Sequence, residues 1–383
     1  MNIAPPAPPA SSPNPAPAAR PRFPDHTPLR RALRQRVDEY FERTGVDRAG
    51  GATMWVKSAV ILGWAISSYL LLLLWAPAWW AAVPLAISLG LALAGIGFSV
   101  MHDGGHGAYS SRPLVNRLSF GVLDLIGGSS HYWHHKHNVL HHTFTNVDGV
   151  DDDIDAGVFL RLAPTQPLRW FHRYQHWFGI PLLVFLAPKW IFLDDFRALA
   201  RGKIGEQAVP SPKGMALVQF FGGKLFFAAW ALAIPLALHS VGSFLPVFLL
   251  VSSVLGVALG TVFQLAHAVE GAAFAASPSS SRSPEHQIAT TADFAPRNRL
   301  LGWYVGGLNF QIEHHLFPRV GHPHYPEVAR IVREVCQERG VPHLTHDSLR
   351  AALRAHLRFL KRMGRPEQPA PSASVASGST APA

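Results

Sequence analysis

Histidine is concentrated in one part of this 383-residue chain. Of its 21 histidines, eight fall between His102 and His142, where an even spread would put about two. Neutral imidazole is a common metal ligand, and clustering of histidine is typical of metal binding. The distribution of histidine therefore predicts a metal site.

The candidate ligands form three groups, and the spacing within the groups matches one turn of a helix. Side chains three or four residues apart lie on the same face of a helix, so a group can direct its imidazoles at one point. The groups are His102 and His106; His137, His141 and His142; and His314 and His315, preceded by Gln311 where a further ligand would fall. His267 is the candidate for an eighth histidine ligand.

The number of histidines indicates more than one metal ion. A tetrahedral zinc site takes three or four protein ligands, and the seven histidines of the three groups exceed that number. The count suits two metals that accept six ligands, and the absence of a Glu-x-x-His pair separates this chain from soluble carboxylate-bridged di-iron bundles. The isolated histidines are expected at the surface or at helix caps: His26, His172, His239, His286, His322, His324, His343, His346 and His356.

The composition predicts that membrane helices position these groups. Hydrophobic residues make up 48% of the chain and charged residues 15%, against about 25% charged in soluble proteins. Four apolar runs are long enough to span a bilayer, at residues 55–75, 79–100, 217–238 and 241–265. We therefore expect an all-α integral membrane protein with four spans in two hairpins and a cytoplasmic helical cap that holds the metal site.

A fifth apolar segment, at residues 177–193, is predicted to lie at the membrane surface. Pro181, Pro188 and Lys189 interrupt it, and a spanning helix would have to bury the charge and repair the broken backbone hydrogen bonds. With this segment outside the bilayer, two spans separate the second histidine group from the third. All three groups then lie on one side of the membrane.

Basic residues indicate which side that is. Both short hairpin turns lack Lys and Arg, whereas the segment before the first span is rich in Arg. The positive-inside rule places both termini, residues 101–214 and the metal site in the cytoplasm. The net charge of +10 fits this cytoplasmic excess and does not require a nucleic-acid partner.

The remaining sequence predicts one domain between two tails. Residues 1–24 contain nine prolines, and residues 364–383 are rich in Pro, Ala and Ser, so both tails are expected to be disordered. The membrane domain is expected at residues 25–363. A single cysteine, Cys336, excludes an internal disulfide framework.

The histidine groups resemble the three histidine boxes of the membrane fatty acid desaturase family. With their flanks, the second and third boxes read HNVLHHTFTN at 137–146 and NFQIEHHLFP at 309–318, similar to the branch in which glutamine replaces the first histidine of the third box. That branch includes front-end acyl desaturases and sphingolipid desaturases. The resemblance implies two iron ions bound by His102, His106, His137, His141, His142, His267, His314 and His315, with Gln311 beside or on the centre.

The resemblance also implies an O2-dependent reaction on an acyl lipid or acyl-CoA. An unactivated methylene offers no acidic proton and no electrophilic carbon, so side-chain acid and base groups cannot attack it, whereas iron with O2 can. Two external electrons then complete the reduction of O2 to water. The His-Pro-Gly-Gly motif of a fused cytochrome b5 is absent, so a separate ferredoxin or cytochrome b5, with its reductase, is expected to supply them.

Two other functions remain open at this stage. A related di-iron hydroxylase or ketolase would carry the same number of histidines. A metal transporter would carry its ligands inside the spans, which here are nearly free of them.

Several polar residues beside the groups are candidates to orient ligand imidazoles through their second ring nitrogen. They are Asp103, Asp148, Asp151, Asp152, Asp153, Asp155 and Glu313, together with His134 and His135. The acidic run at 151–155 is equally compatible with a solvated loop.

Overall fold

The computed structural model describes residues 27–75, 78–275 and 283–366. The expected N-terminal tail lies outside these ranges, as does the C-terminal tail from residue 367 onward. The turn between the first two spans is expected at residues 76–78, and of these only Ala78 lies within the described ranges.

The described chain is almost entirely helical. The α-helices are α1 (Pro28–Thr44), α2 (Gly51–Leu74), α3 (Trp79–Ile96), α4 (His102–His106), α5 (Pro113–Leu125), α6 (Ser130–Trp133), α7 (His142–Phe144), α8 (Gln175–Leu182), α9 (Leu186–Lys189), α10 (Asp195–Arg201), α11 (Met215–Ala228), α12 (Ile234–Leu238), α13 (Val241–His267), α14 (Pro284–Thr290), α15 (Arg299–Tyr304), α16 (Gln311–Leu316), α17 (Tyr325–Glu338) and α18 (Leu349–Met363).

Short irregular turns join many of these helices end to end. The π-helical turns are Gly97–Met101, His134–His141, Trp190–Asp194 and Ala229–Ala233. The 3-10 turns are Asp152–Ile154, Trp170–Tyr174, Leu183–Phe185 and His322–His324. Two strand pairs complete the fold: β1 (Lys203–Ile204) with β2 (Gln207–Ala208), antiparallel, and β3 (Asp293–Phe294) with β4 (Thr345–His346), parallel.

Five continuous helical stretches in the described residues are long and apolar enough to cross a membrane, as expected of an integral membrane protein. They are Gly51–Leu74, Trp79–His106, Trp170–Arg201, Met215–Leu238 and Val241–His267. Four of them coincide, within a few residues, with the four apolar runs. The fifth contains the segment predicted to lie at the membrane surface, and it is a chain of short α, 3-10 and π pieces.

The membrane helices pack around α3 and α13. A Cβ atom at Gly90 of α3 would lie 2.8 Å from the carbonyl oxygen of Val251 in α13, so glycine allows the two backbones to approach closely. Ile61 of α2, Leu93 of α3 and Leu255 of α13 belong to one buried apolar cluster. This rigid core carries the ends of α3 and α13 toward the cap.

The cap is built from amphipathic helices whose apolar faces meet. Leu29, Leu33 and Val37 recur every fourth residue along α1 and pack in one cluster with Val328 and Val332 of α17. The first turn of α1 is fixed by the Thr27 hydroxyl, which accepts a hydrogen bond from the backbone N–H of Arg30. The cap encloses the short helix α16, which carries the third histidine group.

Candidate metal centre

The first histidine group stands where α3 leaves the apolar core. The π turn Gly97–Met101 joins α3 to α4 without a break, so His102 and His106 extend the membrane helix. Their ring centroids are 4.8 Å apart. The preceding core helix therefore fixes the position of both imidazoles.

The second group lies on a π-helical turn rather than on a regular α-helix. His137 and His141 belong to the turn His134–His141, and His142 begins α7. The Nε2 atoms of His137 and His142 are 3.2 Å apart, and the Nε2 atom of His137 is also 3.2 Å from that of His102.

The third group completes the cluster from the other half of the chain. His314 of α16 lies 4.5 Å from His102 between ring centroids, and His315 lies 5.0 Å from His267. Gln311 is buried at the first residue of the same short helix. The structure thus brings the three groups and His267 together.

The ligand atoms fall into two adjoining sets, each with atoms within 4.8 Å of one another. The first set is His102, His106, His137 and His314, and the second is His141, His267 and His315. His142 forms a further set with His314 and His315, so it links the two. This arrangement has room for more than one metal ion in one buried cluster.

Among the described residues, seven buried ring nitrogens of the candidate ligands have no hydrogen-bond partner. They are Nδ1 of His102 and His142 and Nε2 of His106, His141, His267, His314 and His315. A buried polar atom without a partner is costly, and several at one place indicate a missing ligand. Because every one of these atoms is an imidazole nitrogen, the donor set fits a transition metal.

The same environment keeps most of the imidazoles neutral, as metal ligation requires. Burial, reinforced by neighbouring imidazoles, holds the pKa of His137, His142, His314 and His315 well below the usual value for histidine. His141 differs. Burial lowers its pKa, but the Asp151 carboxylate more than compensates, so the net pKa is raised.

Several ligand candidates are oriented through their second ring nitrogen. Nδ1 of His141 lies 3.0 Å from an oxygen of Asp151, and Nδ1 of His315 lies 2.8 Å from Oε1 of Gln287. Nδ1 of His314 lies 3.1 Å from the hydroxyl of Tyr325. Such contacts fix the tautomer and direct the other nitrogen at the metal.

The candidate orienting residues contact different partners, and only some of these partners are ligand candidates. Asp152 forms an ion pair with Lys136, and the neighbouring Asp151 contacts His141 instead. His134 is exposed and lies 3.1 Å from the amide of Asn138, and the ring of His135 contacts that of His131 edge to face. Glu313 lies 3.2 Å from His343.

Asp103 joins a buried polar chain that ends in a membrane helix. Its carboxylate lies 2.9 Å from Nδ1 of His322, and Nε2 of His322 lies 2.7 Å from the amine of Lys57 in α2. The expectation that His322 lies at the surface is wrong, because the cap folds over it and leaves it 6% exposed. The same expectation is wrong for His286 and His356, which are also buried. No local pattern signals the burial of His322, since its partner Asp103 is 219 positions away.

Asn146 is another residue that sequence reasoning missed. It adopts a left-handed backbone conformation with φ of 56°, which asparagine tolerates better than most residues. Its side-chain amide donates to the carbonyl oxygens of His267 and Thr290. Asn146 thereby ties the second histidine group to the end of α13. Its place in the run HNVLHHTFTN at 137–146, beside the second histidine group, is the signal that the sequence offers.

An apolar cavity, open to the outside, lies beside α3, α13 and α15. It has a volume of about 400 Å³ and is lined by residues of α3, α13 and α15, among them Leu91, Val254, Ala258 and Leu301. Leu265 also lines it, two residues before His267. The cavity therefore approaches the part of α13 that carries a candidate ligand.

In this protein, a bundle of apolar helices ends in a buried cluster of imidazoles. This architecture is that of an integral membrane protein with a metal site. The family model described as fatty acid desaturase matches residues 77–346. The chain belongs to the fatty acid desaturase family, which confirms the resemblance, and it is an enzyme of that kind.

Curated relatives support this assignment over most of the chain. The sn-1 linoleoyl-lipid 6-desaturase of Arthrospira platensis is 37% identical over 88% of this chain and 92% of its own length. The sn-1 linoleoyl-lipid 6-desaturase of Synechocystis sp. is 35% identical over 91% of this chain and 99% of its own length. The acyl-lipid (8-3)-desaturase of Physcomitrium patens is 39% identical over 87% of this chain and 71% of its own length.

Proposed function

We propose that the protein is an O2-dependent acyl-lipid desaturase with two iron ions at the imidazole cluster. The observation that carries the proposal is the convergence of the three histidine groups and His267, whose ligand atoms form adjoining sets with separations of 4.8 Å or less. Among the described residues, seven buried ring nitrogens of these histidines have no hydrogen-bond partner. Bound iron would supply the activation of O2 that removal of hydrogen from an unactivated acyl chain requires.

The two sets of ligand atoms suggest how the ions are shared. His102, His106, His137 and His314 would hold one ion, and His141, His267 and His315 the other, with His142 between them. Asp151 and Gln287 would keep His141 and His315 aimed at their ion. Gln311 is close in sequence to the proposed ligands His314 and His315. We propose that it binds the ion held by the second set or lies directly beside that ion.

The proposed substrate is a fatty acyl chain attached to a membrane lipid. The relatives from Arthrospira platensis and Synechocystis sp., which match over nearly their full length, are named sn-1 linoleoyl-lipid 6-desaturases. The apolar cavity beside α13 is suited to an acyl tail, because its lining is almost entirely hydrocarbon. We therefore assign position 6 of a linoleoyl lipid as the first reaction to test.

The proposed topology has four membrane crossings, with both termini and the metal centre in the cytoplasm. Three of the five apolar stretches lie between the second and third histidine groups. Because the two groups meet, an even number of these stretches must cross. Trp170–Arg201 is the one proposed to remain at the membrane surface, since prolines and a lysine interrupt it and its helix is broken into short pieces.

Electrons are proposed to come from a separate carrier, either a ferredoxin or a cytochrome b5 with its reductase. The sequence contains no His-Pro-Gly-Gly motif, and one cysteine cannot hold an iron–sulfur cluster, which usually takes four. The carrier would dock on the cytoplasmic cap that covers the histidine cluster.

The proposal is tested by expressing the protein in a host that makes no polyunsaturated lipids and is supplied with linoleic acid. Mass spectrometry should locate a new double bond at position 6 of lipid-linked linoleoyl chains. The His141→Ala variant, expressed at the same level, is the matched control and should give none. A hydroxyl or keto group on the same chain would instead assign the protein to the hydroxylases and ketolases, and unaltered lipids would contradict the proposal.

A further inference from the structure

Asp293, Glu313 and His343 meet in the cap as a second cluster of possible metal ligands. Asp293 lies in β3, Glu313 in α16, and His343 two residues before β4. Nε2 of His343 is 3.2 Å from Oε1 of Glu313 and 3.7 Å from Oδ2 of Asp293. None of these three residues belongs to the imidazole sets described above.

The two carboxylates are fully buried and incompletely paired. Asp293 and Glu313 are both 0% exposed, and within the described ranges no donor group hydrogen-bonds to Oδ2 of Asp293 or Oε2 of Glu313. One backbone N–H, that of Ile312, donates to Oδ1 of Asp293. The unpartnered oxygens lie in the cluster, where they would be costly without a ligand.

The histidine is aimed at the carboxylates. Nδ1 of His343 lies 3.1 Å from the Thr345 hydroxyl, which leaves Nε2 facing Asp293 and Glu313. With Nδ1 protonated and donating to Thr345, the Nε2 lone pair is free to bind a metal. This is the way ligand imidazoles are usually fixed at metal sites.

Charge also indicates a cation at this place. Within the described ranges, His343 is the only basic side chain that forms an ion pair with either carboxylate. Two buried carboxylates without a cation carry a large desolvation cost. A divalent ion together with a neutral His343 would make the cluster electrically neutral.

The distances fit a small metal ion. Zinc binds oxygen and nitrogen at about 2.0–2.1 Å, and in a tetrahedral site such ligands are about 3.3 Å from one another. The separations of 3.2 and 3.7 Å from Nε2 of His343 bracket that value. Two carboxylates and one imidazole are a recognised ligand type for zinc.

We propose that Asp293, Glu313 and His343 bind a divalent metal ion of the zinc type, distinct from the iron at the imidazole cluster. The ion would join α16 to the pair of strands β3 and β4. Because α16 also carries His314 and His315, the ion would hold the third histidine group in place. This role is structural, and the inference does not depend on the identity of the acyl substrate.

The metal content of the purified wild-type protein tests the proposal first. The protein is loaded with iron without oxygen, then with zinc, and freed of loose metal by gel filtration. The sum of iron and zinc should be about three ions per chain if the cluster adds one site to two iron positions. A total that zinc loading does not raise above the iron content would overturn the proposal, and the carboxylates would then share a proton instead.

Variants assign the extra ion to the cluster. Glu313→Gln and His343→Gln should each lower the total by about one ion per chain, whereas Glu327→Gln, on the exposed face of α17, should leave it unchanged. The difference between wild type and variant is informative even if the imidazole cluster holds fewer ions than proposed. Equal totals in all four proteins would contradict the assignment. Should a variant fail to fold, the wild-type total still decides.

Discussion

His142 stacks on His315 with ring centroids 4.3 Å apart and ring planes inclined by 23°. His142 belongs to the second histidine group and His315 to the third. Three long apolar stretches separate the two residues in the chain. This contact requires both groups to be on one side of the membrane. It also makes the metal centre sensitive to single substitutions in any of the three groups.

His141→Ala should abolish activity without preventing membrane insertion. The substitution removes one proposed ligand outside the apolar spans, so it opens a position at the metal and leaves the bundle intact. The measurement is the amount of new double bond in lipids, together with iron per purified chain. His135→Ala is the control, because His135 contacts neighbouring histidines of its own segment and lies outside the two ligand sets. Full activity in His141→Ala would refute its assignment as a ligand.

Two neighbouring aspartates should behave differently. Asp151→Asn weakens the contact that orients His141 and should lower activity or iron affinity by roughly 10- to 100-fold. Asp152→Asn removes only part of the Lys136 ion pair, which is partly exposed, and should have little effect. Activity assays and iron titrations of the two variants make the comparison. Equal losses in both would mean that the orienting contact is unimportant.

The thiol of Cys336 should be almost unreactive in the folded protein. Burial, with the nearby carboxylates of Glu313 and Asp293, raises the pKa of this thiol to about 11. Compared with an ordinary cysteine, roughly a hundredfold less thiolate is then present at neutral pH. Maleimide labelling with and without denaturant measures the difference. Rapid labelling of the native protein would contradict the burial of Cys336 in the cap.

Cysteines introduced on either side of the interrupted segment should be labelled from the same side of the membrane. Ser111 and Ser211 are exposed and flank the stretch Trp170–Arg201. If that stretch stays at the surface, an impermeant maleimide should reach both Ser111→Cys and Ser211→Cys only from the cytoplasm. Cys336 is replaced in both variants to remove background. Labelling from opposite sides would exclude a four-crossing topology with a shared metal centre.

Turnover should depend on an added electron carrier. The purified enzyme supplied with NAD(P)H, O2 and lipid substrate should form no more product than its stored electrons allow. Addition of ferredoxin or cytochrome b5 with the matching reductase should restore repeated turnover. The measurement is product per enzyme over time, and a boiled carrier serves as the control. Sustained turnover without a carrier would show that the chain accepts electrons directly.

The sequence alone predicted the apolar helices, and the histidine groups that it singled out meet in the structure. Their binding of metal stays a prediction. Hydropathy is a local property, so the helices Gly51–Leu74 and Val241–His267 begin and end within four residues of the predicted spans. Helical spacing within each histidine group likewise depends only on nearby residues. The same local patterns carried the family resemblance that the comparisons confirm.

The tertiary structure alone decided which polar residues meet. Asp151 rather than Asp152 contacts His141 because the bend after α7 turns only one of two adjacent carboxylates inward. His322 is buried beside Asp103, and His343 faces Glu313, because the cap folds back over α4 and α16. Contacts of this kind join residues far apart in the chain, and their partners are selected by packing of whole helices. No spacing rule within a single segment encodes that packing.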